Sequence, residues 1–406
     1  MPADPFTRRP RRLPSQFRLF SPTQLITIRR TLLGLYALAL LILIKQKGIP
    51  EDRNELFALM ALGLIITGIG KRKVWPVIRD WLPFAVLLAV YDQTRGVADV
   101  VGRPTVWFFQ ARFDEALFFG HDPTVWLQSQ LKQVQPPWWE VAVSTVYVSY
   151  YLSPYLVAVV WWLRDRHEWK KFVVRFVAMS FIGLAGFILM PAAPPWAAAR
   201  CTAAQVAGGV SDPPCMVTGT AQDGDVGILG EAVVPHHSGA HAYVERVTSR
   251  GFKRLHLNEA SALLETGQAK VNLVAAVPSL HAATTLLVSM FLWPRVRRRW
   301  RPLLVAYPLA MAFVLVYGAE HYVFDILLGW LITLGVTAAS HRWDVHQARR
   351  RVRLNALAPP VAAGDGNGPR VGRYPEVISV SPRPVESDAG FPMSDGVPTC
   401  PTATMP

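Results

Sequence analysis

The sequence predicts an all-α, polytopic membrane protein of about eight spanning helices. Three observations predict it. Of 406 residues, 51% are apolar and 17% charged, and the mean hydropathy is +0.24. The apolar residues gather in runs close to the ~20 residues that cross about 30 Å of hydrocarbon. The 42 basic side chains, against 28 acidic ones, punctuate these runs and form no face of their own. That distribution points to a bilayer and away from nucleic acid, despite a net charge of +14. Wholesale disorder is excluded, because it needs low hydrophobicity. A disulfide-built scaffold is excluded as well, because three cysteines cannot staple this length.

The runs centre on Leu33–Ile44, Leu56–Ile69, Val77–Tyr91, Val141–Leu163, Phe172–Met190, Leu273–Trp293, Leu303–Gly318 and Tyr322–Ala339. The third carries Arg79 and Asp80 near its start and the seventh is short, so these two are the weakest. Residues 1–30 form a basic leader, residues 31–70 hold two spans, and residues 76–341 hold the remaining six. The leader reads as a cytoplasmic lead-in to a signal anchor, with no cleavage pattern.

Lys and Arg density sets the orientation. With the N-terminus inside, the inner segments hold Arg8 to Arg30, then Lys71, Arg72, Lys73 and Arg79, then Arg164 to Arg175, then Arg295 to Arg301, and a tail opening at Arg342. Every alternate segment is dense in positive charge. The expected placement is a multi-pass plasma membrane protein with both termini cytoplasmic. The outer loops are then residues 92–140 and 191–272. The first should hold one or two interfacial helices, given its Trp and Phe content. Trp107, Phe108, Phe109, Trp126, Trp138 and Trp139 read as an interfacial belt or as a lipid entrance. The second is Pro- and Gly-rich and then briefly helical around Leu257–Gly267. It holds Cys201 and Cys215 on the oxidising side, where a bridge and two free thiols are both compatible with the sequence. Residues 355–406 read as a disordered cytoplasmic tail.

Two stretches carry the chemistry. Ala275-Ala-Val-Pro278-Ser279-Leu-His281-Ala282 opens the sixth run, and Tyr317-Gly-Ala-Glu320-His321-Tyr-Val-Phe-Asp325 opens the eighth. Both fall at the outer surface of the expected topology, and ionisable groups at the edge of an apolar span mark function. Pro278-Ser279 is a helix-start signature with Ser279 as N-cap. A helix N-terminus there offers N–H groups and a positive dipole end to a phosphate, with His281 in the first turn. His321 and Asp325 are spaced i, i+4 and share a helix face. A carboxylate on one ring nitrogen fixes the tautomer and raises the basicity of the other, which makes a nucleophile or base. Singly, a capping serine, a hydrogen-bonded histidine and a His-x3-Asp pair all have plain structural readings. Their joint occurrence at two span starts on one side points to a site.

Pro-Ser-x-His followed by His-x3-Asp resembles the second and third signature motifs of the type 2 phosphatidic acid phosphatase superfamily. The context Asn272-x5-Pro278-Ser279-Leu280-His281-Ala282 and His321-Tyr322-x2-Asp325-x3-Gly329 is most similar to its inositol phosphorylceramide synthase-like, inositolphosphotransferase branch. The resemblance runs from about Tyr91 to Trp330 and is strongest towards its C-terminal end. It implies a six-helix core, His321 as nucleophile forming a phosphohistidine, Asp325 as its partner, and His281 as acid and then base. It implies a lipid or polyprenyl phosphate substrate and no metal or other cofactor.

The sequence departs from the phosphatase pattern in two places. Lys-x6-Arg-Pro is absent, since the position seven before Arg103 is Gly96, and the arginine usual six before the third-motif histidine is Leu315. Charge on a transferring phosphate still needs cations. The outer-side candidates are Arg95, Arg112 and Arg200, with Ser279, Arg95 and Arg200 forming the expected phosphate-binding set. The expected function is therefore transfer or hydrolysis of a lipid-linked phosphate ester. The alternatives are a transporter or scaffold keeping a degenerate site, and metal-dependent hydrolysis through His236, His237 and His241, whose spacing matches no standard zinc motif.

Overall fold

A computed structural model describes residues 21–47, 53–69, 75–94, 101–218, 227–229, 244–257, 261–262 and 273–357. The leader to residue 20, Arg95, the three loop histidines, most of the 257–267 stretch and the tail from residue 358 lie outside the described residues. The chain divides between Arg349 and Arg350, and both chemistry-bearing stretches belong to the first unit.

The protein is all-helical. Its longer helices are α1 (Pro22–Lys47), α2 (Arg53–Gly68), α3 (Trp75–Thr94), α4 (Phe109–Leu117), α5 (Pro123–Leu131), α6 (Glu140–Arg164), α7 (Arg166–Leu189), α8 (Leu280–Leu292), α9 (Arg301–Tyr317) and α10 (Val323–Leu357). Each of the eight apolar runs overlaps one of these helices, the sixth only from Leu280 onward. Among the described residues, five segments are long and apolar enough to cross a membrane: Thr23–Gln46, Glu140–Arg164, Arg166–Leu189, Arg298–Tyr317 and Val323–Leu354. The chain is a polytopic membrane protein. Its outward faces are apolar, with Leu41, Leu156, Val174, Leu189 and Leu331 each more than 60% exposed, as expected where lipid is the solvent.

The charged start of α3 fits because its charge is paired. Asp80 is 8% exposed, accepts the Trp162 indole N–H at 3.0 Å and pairs with Arg166. Around it, Trp81, Phe84, Trp162, Trp169, Phe172, Phe176 and Phe291 form an aromatic core among α3, α6, α7 and α8. One residue, Asp165, separates α6 from α7. Its carboxylate caps α7 by accepting from His167 N–H and Glu168 N–H.

The sixth run departs from expectation at its start. The helix begins at Leu280, and the segment from Leu273 to Ser279 is not helical. Pro278 disfavours the α conformation in Val277, and Ser279 then caps the helix, so the break overrides hydropathy. The non-helical segment is used. Ala192 bridges Val106 on one side and Ala275 on the other, with Val106 N–H donating to Pro191 O at 2.8 Å and Ala276 N–H to Ala192 O at 3.2 Å. The segments around Val106 and Ala192 are thereby pinned beside the start of α8. The first of the two long loops between apolar runs, residues 92–140, holds two short helices, α4 and α5. In the second, Cys201 and Cys215 form a disulfide with a Cα–Cα distance of 5.3 Å.

Candidate active site

The start of α8 and the start of α10 meet at van der Waals distance. Ser279 N–H donates to the Asp325 carbonyl at 3.0 Å, and the Thr333 hydroxyl donates to Ala283 O at 3.0 Å. Gly329 sits at the crossing, where an added Cβ would lie 2.3 Å from Ser279 O. Only a residue without a side chain allows this approach.

That approach brings together the three residues that the sequence singled out. His321 Nε2 lies 3.2 Å from His281 Nδ1, and His321 Nδ1 lies 3.4 Å from Asp325 Oδ2. Asp325 is fully buried and His321 is 6% exposed, while His281 is partly buried. Asp325 Oδ2 also accepts the Tyr322 N–H at 3.0 Å, which holds the carboxylate towards the ring. A carboxylate on Nδ1 favours the tautomer that leaves Nε2 as the basic nitrogen, and Nε2 is the atom facing His281. Ser279 is the predicted N-cap, accepting from Ala282 N–H at 3.4 Å. Arg200 is engaged elsewhere, donating to Met216 O at 2.9 Å and lying over Trp196. Arg112 is exposed and lies over Phe108. Trp107, expected in an interfacial belt or a lipid entrance, is buried and donates its indole N–H to Val210 O at 2.9 Å.

Several neighbours escaped sequence reasoning. Tyr147 and Tyr150 of α6 hold the His281 ring, with centroids 5.1 and 3.8 Å away. Their i, i+3 spacing is the only trace in the sequence. Glu320, whose place beside His321 the sequence does show as a tuning or boundary carboxylate, accepts the Thr248 hydroxyl at 2.9 Å and lies 3.5 Å from Arg246 Nε. Further out, Lys132, Glu245, Arg250 and Glu140 form a charged chain ending on the Tyr317 hydroxyl. Burial lowers the Lys132 ammonium to about 8.

Asp114 of α4 matters most among these. Its carboxylate accepts from Val323 N–H at 2.7 Å and from Phe324 N–H at 3.0 Å, capping α10 from another element. Burial pushes this carboxyl up to about 7 against the pull of both amide bonds, with repulsion from Asp122 and Asp325 adding to it. A carboxyl raised from the ordinary ~3.9 binds its proton more tightly folded than unfolded. Its contribution is present at low pH and declines as pH rises from about 4 to about 7. Thermal unfolding in detergent across that range should show the midpoint falling with pH, and Asp114→Asn should flatten the slope. An identical slope in the variant removes Asp114 as its source.

Two histidines and a carboxylate thus meet where α8 and α10 start, and among the described residues no group of three or more His, Cys, Asp or Glu side chains could hold a metal ion. The chain belongs to the PAP2 superfamily, whose profile matches residues 111–339. It is also similar to phosphoinositol dihydroceramide synthase of Bacteroides thetaiotaomicron, at 24% identity over 306 residues, covering 74% of this chain and 87% of that protein. No solved structure matches it. The protein is a lipid phosphate phosphatase or phosphotransferase.

Proposed function

We infer that the protein transfers a phosphoryl or phospho-alcohol group, of the inositol phosphate type, from a lipid-linked phosphate ester through a phosphohistidine on His321. The observation that carries this reading is the line Asp325–His321–His281, with separations of 3.4 and 3.2 Å. Asp325 holds the Nδ1 proton of His321, so the Nε2 lone pair attacks phosphorus. The bond from phosphorus to the leaving oxygen breaks, and protonated His281 gives its proton to that oxygen. His281 then takes the proton of an acceptor hydroxyl or of water, whose oxygen attacks phosphorus as the P–N bond breaks. The named relative, a synthase, supports an acceptor hydroxyl. An apolar cavity of about 480 Å³, lined partly by Phe313, Val323, Ile326 and Trp330, suits an acyl or polyprenyl chain beside the start of α10. Charge density in the loops supports an extracytoplasmic site with both termini cytoplasmic.

The test supplies head-group-labelled phospholipids and polyprenyl phosphates to the purified protein, with and without a hydroxyl acceptor lipid. A new labelled lipid establishes transfer, and free phosphate establishes hydrolysis. No product across a broad panel defeats the reading and favours a scaffold with an inactive site.

A further inference from the structure

We propose that Arg246, stacked on Trp196 and tethered to Glu320, binds the phosphoryl oxygens of the ester at His321 and supplies charge that the missing motif cations leave unsupplied. This rests on the reading of His321 as the centre of phosphoryl transfer. The need is set by the sequence, since Gly96 and Leu315 occupy the positions where the family pattern places cations. The transition state of phosphoryl transfer spreads negative charge that must be met in place.

The geometry singles out Arg246 on three counts. Its guanidinium carbon lies 4.0 Å over the Trp196 ring, a cation–π platform that fixes the plane of the fork. Its Nε lies 3.5 Å from Glu320 Oε2, and Glu320 directly precedes His321. The platform residue is itself fixed to the same turn, because the Trp196 backbone N–H donates to Ala319 O at 3.1 Å and Thr248 clips Glu320 at 2.9 Å. Among the described residues no hydrogen bond engages the terminal nitrogens of Arg246, whose side chain is 24% exposed. Those two nitrogens form the edge of the fork that meets two phosphoryl oxygens together. Arg200 lies over the same indole at 5.5 Å, but one of its terminal nitrogens is committed to Met216 O. Glu320 holds Arg246 in place and also competes with the incoming anion for it.

That competition separates an anion site from a structural ion pair. Inorganic phosphate is titrated calorimetrically into the full-length protein in detergent, as wild type, Arg246→Gln, Arg246→Lys and Glu320→Gln, with thermal midpoints measured in parallel. Arg246→Gln should weaken phosphate binding by about 10- to 100-fold. Arg246→Lys, which keeps the charge and loses the fork, should fall between and serves as the test if the glutamine variant fails to fold. Glu320→Gln should bind phosphate at least as tightly as wild type, since the amide oxygen still accepts from Thr248 while the competing charge is gone. Wild-type affinity in both Arg246 variants, or equal loss in Glu320→Gln and Arg246→Gln, overturns the assignment and leaves the His321 reading standing. A wild-type protein that binds no phosphate and turns over no ester overturns both.

Discussion

His321→Ala should abolish turnover of any lipid phosphate ester, lowering kcat by about four orders of magnitude or more, as loss of a nucleophile does in a coupled catalytic unit. The fold should survive, because the ring is held by Asp325 and His281 at 3.4 and 3.2 Å and anchors no helix. The control is His281→Ala, which removes the acid and leaves the nucleophile. Its loss should be smaller with an aryl phosphate, whose leaving oxygen needs no proton, than with a lipid alkoxide, where about two to four orders are expected. In the same variant the second step lacks its base, so label from a phosphorus-labelled aryl ester should accumulate on the protein at quenched time points. It should be absent from His321→Ala. Residual activity above about one per cent in His321→Ala, with wild-type labelling after an alkaline quench that spares a P–N bond, would make another residue the nucleophile.

The proposed catalytic trio is legible in the sequence because its information is local. A proline and a serine, three and two residues before His281, start one helix, and the i, i+4 rule alone puts His321 and Asp325 on one face. Hydropathy likewise locates every long helix, since an apolar run has few alternatives in a bilayer. What escapes is tertiary. Asp114 sits on a nine-residue helix between two apolar runs, and nothing around it announces that its carboxylate caps a helix beginning at Val323. Arg246 comes after a segment without periodicity, and only the stack on Trp196 and the pair with Glu320 give it a place. The start of α8 is an intermediate case, where hydropathy extends the helix back to Leu273 and Pro278 with Ser279 stops it. The local signal is the stronger one there, because a missing N–H and a disfavoured preceding residue act at each position, whereas hydropathy is an average.

Gly329→Ala should cost activity as heavily as many changes in the site itself. In an ordinary helix this substitution gains about 0.5–1 kcal/mol, because alanine loses less backbone entropy. Here the sign reverses. The new methyl would lie 2.3 Å from Ser279 O, 3.3 Å from Ser279 C and 3.5 Å from Ala283 N. All three are backbone atoms, so no side chain can rotate away and α8 and α10 must part. The hydrogen bonds crossing the contact, Ser279 N–H to Asp325 O and the Thr333 hydroxyl to Ala283 O, then lengthen from 3.0 Å. The histidines are carried one on each side of the contact, so their 3.2 Å spacing widens with it. A displacement of about 1 Å between catalytic groups costs on the order of a hundredfold in rate. The expected result is a fall of about that size in kcat, with a lowered thermal midpoint in detergent. Gly335→Ala on the same helix is the matched control, as nothing lies within 4 Å of its added Cβ, and it should keep wild-type turnover. A Gly329→Ala enzyme with unchanged kcat would mean that the two helix starts need not touch for the histidines to cooperate.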